Sequence, residues 1–426
     1  MSQFLFLPFG SSGDTYPSVG LARELHRRGH DVTVCVNAYF KIAVERAGLR
    51  YLEFGAAEEY MAMLNNPDLW DPHKGFKSVV GNPRMPEAIR RQYLLIEEHY
   101  RRDEKVTIVA GSLALGARIA EEKLGARVVG LHLQPLMFFS ATNPPVAPNG
   151  KIPAWLPPSA LRLLYWFGDK YMFSPVVASV VEPLRRELGL PRRSRYIEWM
   201  HSEKLELGLF PKWYGHARDW PKQLRQTGFP LFDDRAEEPL APEVEEFLSK
   251  NGAPIVCTFG TGMVLGEKLF AAAADACYRL NRRGILLTPF RDQLPKKLPQ
   301  NVAHFNYVPL TRLLPRAAAI IHHGGIGTTS QALRAGIPQV ITPLSHDQPD
   351  NADRVEKLGV GRAIPRKKVN QETLSMTLDG LLEDPRVTTA CKDVARRFEN
   401  CDTLRETCEI LESFAQTGEA PSGGRD

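Results

Sequence analysis

Two short runs in this chain of 426 residues hold side chains that could do chemistry together. Near the start, Gly10-Ser11-Ser12-Gly13-Asp14-Thr15-Tyr16-Pro17 sets one carboxylate in a glycine-rich turn behind an apolar run. Far downstream, Ile320-Ile321-His322-His323-Gly324-Gly325-Ile326-Gly327-Thr328-Thr329-Ser330-Gln331, closed by Asp347-Gln348, reads as a buried strand that delivers a diphosphate-binding turn to a helix. The glycines remove side chains where an anion's oxygens must approach backbone N–H groups, and the helix start adds unpaired amides and the positive end of a dipole. A glycine-rich turn also occurs simply to pack a strand on a helix. Asp14 has two readings as well. It suits an N-cap, lying three residues before Pro17. It also suits a base above a crevice, since desolvation raises a carboxylate's proton affinity and the proton need move only as the new bond forms. Taken as a pair, the runs describe an activated sugar held by the C-terminal half and an acceptor hydroxyl held by the N-terminal half.

The surrounding elements must bring these runs face to face. Short apolar runs at Phe4–Phe9, Asp31–Asn37 and Val106–Ala110 alternate with helical patterns such as Pro17–Arg28. The same grammar restarts at Pro254–Gly260 and continues through Gly284–Thr288, Asn301–Tyr307, Ala317–Ile321 and Gln339–Pro343. Such alternation predicts βαβ units and parallel sheets. The fold class is therefore α/β, with two Rossmann-like doubly wound parallel-sheet domains facing across a cleft, where strand C-termini place binding loops. The expected divisions are an N-terminal acceptor domain over 1–230, a proline- and acid-rich linker over 231–245 and a C-terminal nucleotide-sugar domain over 246–385. A helical segment over 386–415 and a disordered tail over 416–426 complete the chain.

With 43% hydrophobic and 24% charged residues, two full cores are affordable. A net charge of +5 with dispersed Lys and Arg argues against nucleic acid as a partner. The six cysteines show no metal-ligand spacing, no apolar stretch is long enough for a membrane span, and a cytoplasmic location fits. The stretch from Leu136 to Leu190 breaks the alternation with prolines and aromatics. Phe138, Phe139, Trp155, Trp166 and Phe167 either pack on the N-terminal sheet or line an apolar acceptor pocket, with His132 and Gln134 beside it. The basic clusters Arg185-Arg186 and Arg192-Arg193-Ser194-Arg195 could add weak attraction to a membrane face. No Asp-x-Asp pair occurs, so neither a metal nor a cofactor is required beyond the nucleotide sugar as co-substrate.

At these residues the chain resembles the GT-B glycosyltransferases of family 1, which move a sugar from a nucleotide to a small acceptor with inversion. The resemblance spans nearly the whole chain and implies a donor site. Tyr307 and Val308 would face the nucleobase, Gly13, Gly260, Thr261, His323, Gly325, Gly327 and Thr328 the diphosphate, Gln331 the ribose, and Asp347-Gln348 the sugar hydroxyls. Asp14 falls where many members carry a catalytic histidine, and Ala110-Gly111-Ser112 where they carry the Asp that orients it. Within the family, Asp68-Leu69-Trp70-Asp71-Pro72, Trp199-Met200-His201-Ser202 and Thr227-Gly228-Phe229-Pro230-Leu231-Phe232-Asp233 are similar to the rhamnolipid-type rhamnosyltransferase branch. His323 and Thr328 instead look like the wider glucosyltransferase group. The implied activity is metal-independent transfer of a hexose, of the UDP-glucose or dTDP-rhamnose type, to a hydroxyl of a hydrophobic small molecule or lipid. Two other readings remain open on these residues: a nucleotide-sugar epimerase, and a non-catalytic nucleotide-sugar- or lipid-binding subunit.

Overall fold

The computed structural model describes residues 1–148, 150–153, 155–233, 235–260 and 266–421. The N-terminal half contains β1 (Gln3–Leu7), β2 (Asp31–Val36), β3 (Arg50–Glu53), β4 (Thr107–Gly111), β5 (Arg127–His132), β6 (Leu205–Gly208) and β7 (Leu224–Gln226). They form one parallel sheet in the order β3-β2-β1-β4-β5-β6-β7. The C-terminal half contains β8 (Ile255–Thr258), β9 (Gly284–Leu287), β10 (Val302–Phe305), β11 (Ala319–His322), β12 (Gln339–Ile341) and β13 (Gly361–Ala363), in the order β10-β9-β8-β11-β12-β13. Both orders reverse at the first strand, so the crevices open at the ends of β1 and β8. Helices cover both sheet faces, which is why the strands are continuous apolar runs: Phe4 and Phe6 enter one core, Leu5 and Leu7 another.

The first helix spans Ser12–Arg27 and so starts five residues before the expected Pro17. Ser11 is its N-cap, and Asp14, in the first turn, completes a capping box. The box fixes the helix start tightly enough to carry Pro17 inside it, although proline removes one intrahelical bond.

Two boundaries differ from expectation. Helix Pro242–Ser249 begins inside the stretch expected to be linker, because Pro242 is well placed in a first turn and Glu243 and Glu245 suit its positive end. The final helix runs Thr403–Thr417, and Arg225 donates to the carbonyl of Pro421 at 2.9 Å. Residues 416–421 are thus placed rather than disordered, while 422–426 lie outside the described residues. This helix returns to the N-terminal half: Glu412 takes bonds from Arg28 at 3.1 Å and pairs with His30 at 2.9 Å.

The aromatic stretch forms helices Pro158–Gly168 and Ser174–Glu187, joined by the wider turn Asp169–Phe173. Three of the five arginines in its basic clusters are occupied. Arg185 is fully buried and bonded to Glu122, Arg193 donates to Glu122 at 3.0 Å, and Arg195 donates to buried Asp169 at 2.9 Å. Of the clusters expected to face a membrane, Arg185, Arg193 and Arg195 therefore serve internal ion pairs, since Glu122 and Asp169 supply closer counter-charges, while Arg186 and Arg192 are exposed.

Candidate active site

One cavity of about 1490 Å³ lies between the halves and takes walls from both. From the N-terminal half, the turn after β1 contributes Gly10, Ser11, Gly13 and Asp14. The Asp14 carboxylate accepts from the Ser11 N–H at 2.7 Å and the Ser11 hydroxyl at 3.0 Å, folding back over Gly10. A Cβ on Gly10, whose φ is +144°, would lie 2.3 Å from Asp14 Oδ2. Capping and catalysis are thus compatible roles for one side chain. Burial raises the carboxyl's pKa, and the Ser11 bonds offset this in part.

The C-terminal half supplies the opposite wall, with the residues the resemblance assigns to the donor. Helix Ile326–Ala335 starts at Gly325 with no side-chain cap, so its first amides have no side chain answering them. Gly325, Gly327, Thr328 and Gln331 all line the cavity. Thr329, next in the run, is buried and donates its hydroxyl to the Gly325 carbonyl at 3.0 Å. His323 stands between two glycines: a Cβ on Gly260 would meet its Cε1 at 2.9 Å, and one on Gly325 its Nε2 at 2.6 Å. Its Nδ1 is buried without a hydrogen-bond partner among the described residues. Burial pushes its pKa down to about 4, so the ring is neutral at pH 7. The imidazole thus carries hydrogen-bonding capacity and no charge at that pH. Its neighbour His322, unnoticed as a functional residue in the sequence, sets the turn: Nε2 meets Gln339 Oε1 at 2.9 Å, and Nδ1 accepts the Gly324 N–H at 3.1 Å. Gly260 lines the wall, whereas Thr261 lies outside the described residues.

Tyr307 and Val308 also line the cavity. The Tyr307 hydroxyl donates to Asp233 at 2.7 Å, and Arg235 lies 5.1 Å over its ring, so the interdomain segment braces the aromatic. Asp347 and Gln348 complete the wall. Gln348 Oε1 accepts from the N–H groups of Leu344 at 2.8 Å and Ser345 at 3.2 Å, holding the turn that presents Asp347. Asp347 accepts from Asn351 Nδ2 at 2.7 Å. Burial pushes its carboxyl up to about 7 against that bond, and the charge of Asp14 adds to the rise. The two carboxylates, from opposite halves, sense each other across one space.

Of the acceptor residues, His132, Gln134 and Phe139 line the cavity. Phe138, Trp155 and Trp166 do not. Phe138 points the other way from Phe139, into the core, stacking on His201 at 5.2 Å and packing on Trp220. Trp155 is 79% exposed, and Trp166 packs on Phe167 under the Lys170 ammonium. The apolar wall comes instead from Phe54, Met63, Trp70, Phe76 and Met85, with Phe173 and Val176 from the aromatic stretch. The helices around 57–102 read as ordinary amphipathic packing, and nothing in their spacing marked them as pocket. Among the described residues, His132, His201 and Glu206 are the groups close enough to share an ion, their ligand atoms lying within 4.8 Å of one another. Here His132 and Glu206 are hydrogen-bonded to each other and to Ser112 and Ser202, while His201 Nδ1 stands 3.5 Å from Glu206.

Two parallel doubly wound sheets with a shared cleft at their strand ends define the GT-B architecture. Residues 4–130 match the family profile described as "Glycosyltransferase family 28 N-terminal domain", and residues 285–412 match "Erythromycin biosynthesis protein CIII-like, C-terminal domain". The O-mycaminosyltylonolide 6-deoxyallosyltransferase of Streptomyces fradiae is 27% identical over 96% of this chain and 97% of its own. Among solved structures, the glycosyltransferase of kitacinnamycin superposes with a TM-score of 0.72 at 20% identity, over 97% of this chain and 98% of its own. The spinosyn rhamnosyltransferase complexed with thymidine diphosphate gives 0.62 at 18% identity, over 97% and 99%. The chain belongs to the GT-B glycosyltransferases and is an enzyme that transfers a sugar.

Proposed function

We propose that the enzyme moves a hexose from a nucleoside-diphosphate sugar, of the UDP-glucose or dTDP-rhamnose type, to a hydroxyl of a hydrophobic small molecule or lipid, inverting the anomeric centre. The observation that carries this reading is the pairing of Asp14 and Asp347 in one cavity from opposite halves. Asp347 and Gln348 would hold the sugar hydroxyls, and Tyr307 the base. The diphosphate would lie on the uncapped start of helix Ile326–Ala335, where the orphaned His323 Nδ1 and the Thr328 hydroxyl also answer it. An acceptor hydroxyl entering along the apolar wall gives its proton to Asp14 as its oxygen attacks the anomeric carbon from the face opposite the diphosphate. Negative charge developing on the leaving group meets fixed amide dipoles in an enclosed site. These donors, and the absence of an Asp-x-Asp pair in the sequence, support a metal-independent step.

Purified protein is to be incubated with UDP-glucose or dTDP-rhamnose and a panel of apolar alcohols, with the product's anomeric configuration read by NMR. Acceptor-dependent glycoside of inverted configuration is expected, unchanged by EDTA. Donor isomerised without acceptor would instead indicate an epimerase, and no turnover by the chain alone would indicate a binding subunit.

The Asp347 carboxyl adds a pH dependence. With its pKa up to about 7 in the free protein, it is mostly protonated at pH 6 and mostly ionised at pH 8. Only the ionised form accepts sugar hydroxyls through both oxygens with charge-assisted bonds. The affinity ratio of nucleotide sugar to free nucleoside diphosphate should therefore rise, by up to about tenfold, between pH 6 and pH 8. Titration calorimetry at the two pH values measures it, and Asp347→Asn should flatten the trend.

Membrane contact belongs to the same proposal but rests on other residues than the basic clusters. Leu163, Leu164, Phe167, Tyr171 and Met172 form an exposed apolar strip with Lys170 alongside, and Met172 also lines the cavity. Such a strip suits a bilayer interface that feeds a lipid acceptor inward. The protein should co-float with phosphatidylglycerol vesicles, and Phe167→Glu with Tyr171→Glu should abolish flotation. Absence of flotation by the wild type would dismiss membrane contact.

A further inference from the structure

A chain of hydrogen bonds crosses three adjacent strands of the N-terminal sheet and stops at the cavity wall. It begins at Glu206 on β6, whose side chain is fully buried. The space it occupies is left by Gly130 on β5, where a Cβ would lie 2.4 Å from Glu206 Oε1. Glu206 accepts from the Ser202 N–H and from His132 Nε2, with His201 Nδ1 3.5 Å away. Despite its burial, the His132 and His201 rings beside it hold this carboxyl below the usual carboxylate range. An ionised carboxylate can only accept, so the hydrogen between it and His132 sits on Nε2. Nδ1 of the same ring lies 2.9 Å from Ser112 Oγ, and where Nε2 carries the ring's single hydrogen, Nδ1 is the lone-pair side. The competing acceptor for the Ser112 hydrogen, the Leu131 carbonyl, is farther, at 3.4 Å. In that tautomer Ser112 gives its hydrogen inward and turns a lone pair toward the cavity that it lines.

Ser112 follows β4 as Asp14 follows β1, and these strands are direct neighbours with Leu7 opposite Ala110. Ser112 and Asp14 thus follow neighbouring strands into one cavity.

We propose that Ser112, polarised through His132 and Glu206, is a specificity subsite that takes a second hydrogen-bond donor of the acceptor molecule, next to the hydroxyl that reacts at Asp14. The substrate class this selects is an apolar molecule with paired donors, such as a vicinal or 1,3-diol, over an isolated alcohol or a hydroxy ketone. A site built to bond a donor rejects the analogue lacking it, because its own buried groups are then left unanswered. His132 and Glu206 are positioning residues here, acting only through the Ser112 hydroxyl. The inference rests on the reading of Asp14 as base.

The test compares kcat/KM for three acceptors of equal carbon skeleton, a diol, the mono-alcohol and the hydroxy ketone, in wild type, Ser112→Ala, His132→Gln and Asp14→Asn. The wild type should prefer the diol by about 10-fold to 100-fold, the worth of one hydrogen bond in a closed site. Ser112→Ala and His132→Gln should collapse that preference toward unity. Asp14→Asn should lower all three rates and keep the preference. A wild type indifferent to the second donor, or one preferring the hydroxy ketone, overturns the subsite. So does a diol preference that survives Ser112→Ala. Normal rates in Asp14→Asn would instead strike the base assignment and leave the subsite to be judged on the preference alone. Circular dichroism of each variant separates misfolding from lost recognition, and Ser112→Ala, at the cavity surface, removes only one hydroxyl.

Discussion

Asp14→Asn is expected to cut turnover by about 10²-fold to 10⁴-fold, the range general base catalysis contributes, while affinity for the nucleoside diphosphate stays within about twofold. The amide is isosteric and still accepts through its oxygen from the Ser11 N–H and hydroxyl, so the capping box and the helix start persist. What vanishes is a group able to take a proton. Loss of the cap itself would be worth only about 1 kcal/mol and would appear as lower thermal stability, not slower chemistry. Single-turnover kinetics beside calorimetric titration separates the two. The expected result is a lower kcat with an unmoved dissociation constant. Near-normal turnover on an unactivated alcohol would remove Asp14 from the role of base.

His323→Ala should weaken nucleoside diphosphate binding by about 10-fold to 150-fold, equivalent to the 1.5–3 kcal/mol of a hydrogen bond to a charged group. The imidazole is the side chain that Gly260 and Gly325 make room for, and its Nδ1 is buried without a partner among the described residues. Because burial keeps the ring neutral, with a pKa near 4, the loss should be the same at pH 6 and pH 8. A strongly pH-dependent loss would mean that a charged imidazolium does the binding. Unchanged affinity would mean that His323 only fills the turn.

Much of the architecture was legible because parallel strands, buried on both faces, leave continuous apolar runs in sequence. The runs at Phe4, Asp31, Val106, Pro254, Gly284, Asn301, Ala317 and Gln339 all became strands, some shorter by a few residues. β3, β6 and β7 are three or four residues long, and β3 is half exposed, so each was too weak a signal to read. Glycines at the donor turn were informative for a steric reason the coordinates make plain, since a methyl group at Gly260 or Gly325 collides with His323. The acceptor wall was much less legible. Adjacent residues Phe138 and Phe139 part company, one into the core and one into the cavity, and only the local turn decides which. Trp155 and Trp166 are aromatic for reasons unrelated to the cavity, while Trp70 and Phe76 reach it from helices whose spacing announces only packing. Long-range partners were silent too. Nothing in the spacing of Ser112, His132 and Glu206 foretells that neighbouring strands align them into one chain of bonds.

The account stands on the distance between the Asp14 carboxylate and the anomeric carbon of a bound donor, measurable in a crystal structure with a 2-fluoro nucleotide sugar that binds but does not react. One acceptor oxygen must fit between them, which places the carboxylate about 6 Å or less from that carbon, on the face away from the diphosphate. A separation beyond about 10 Å, or a diphosphate seated away from residues 323–328, would contradict the account.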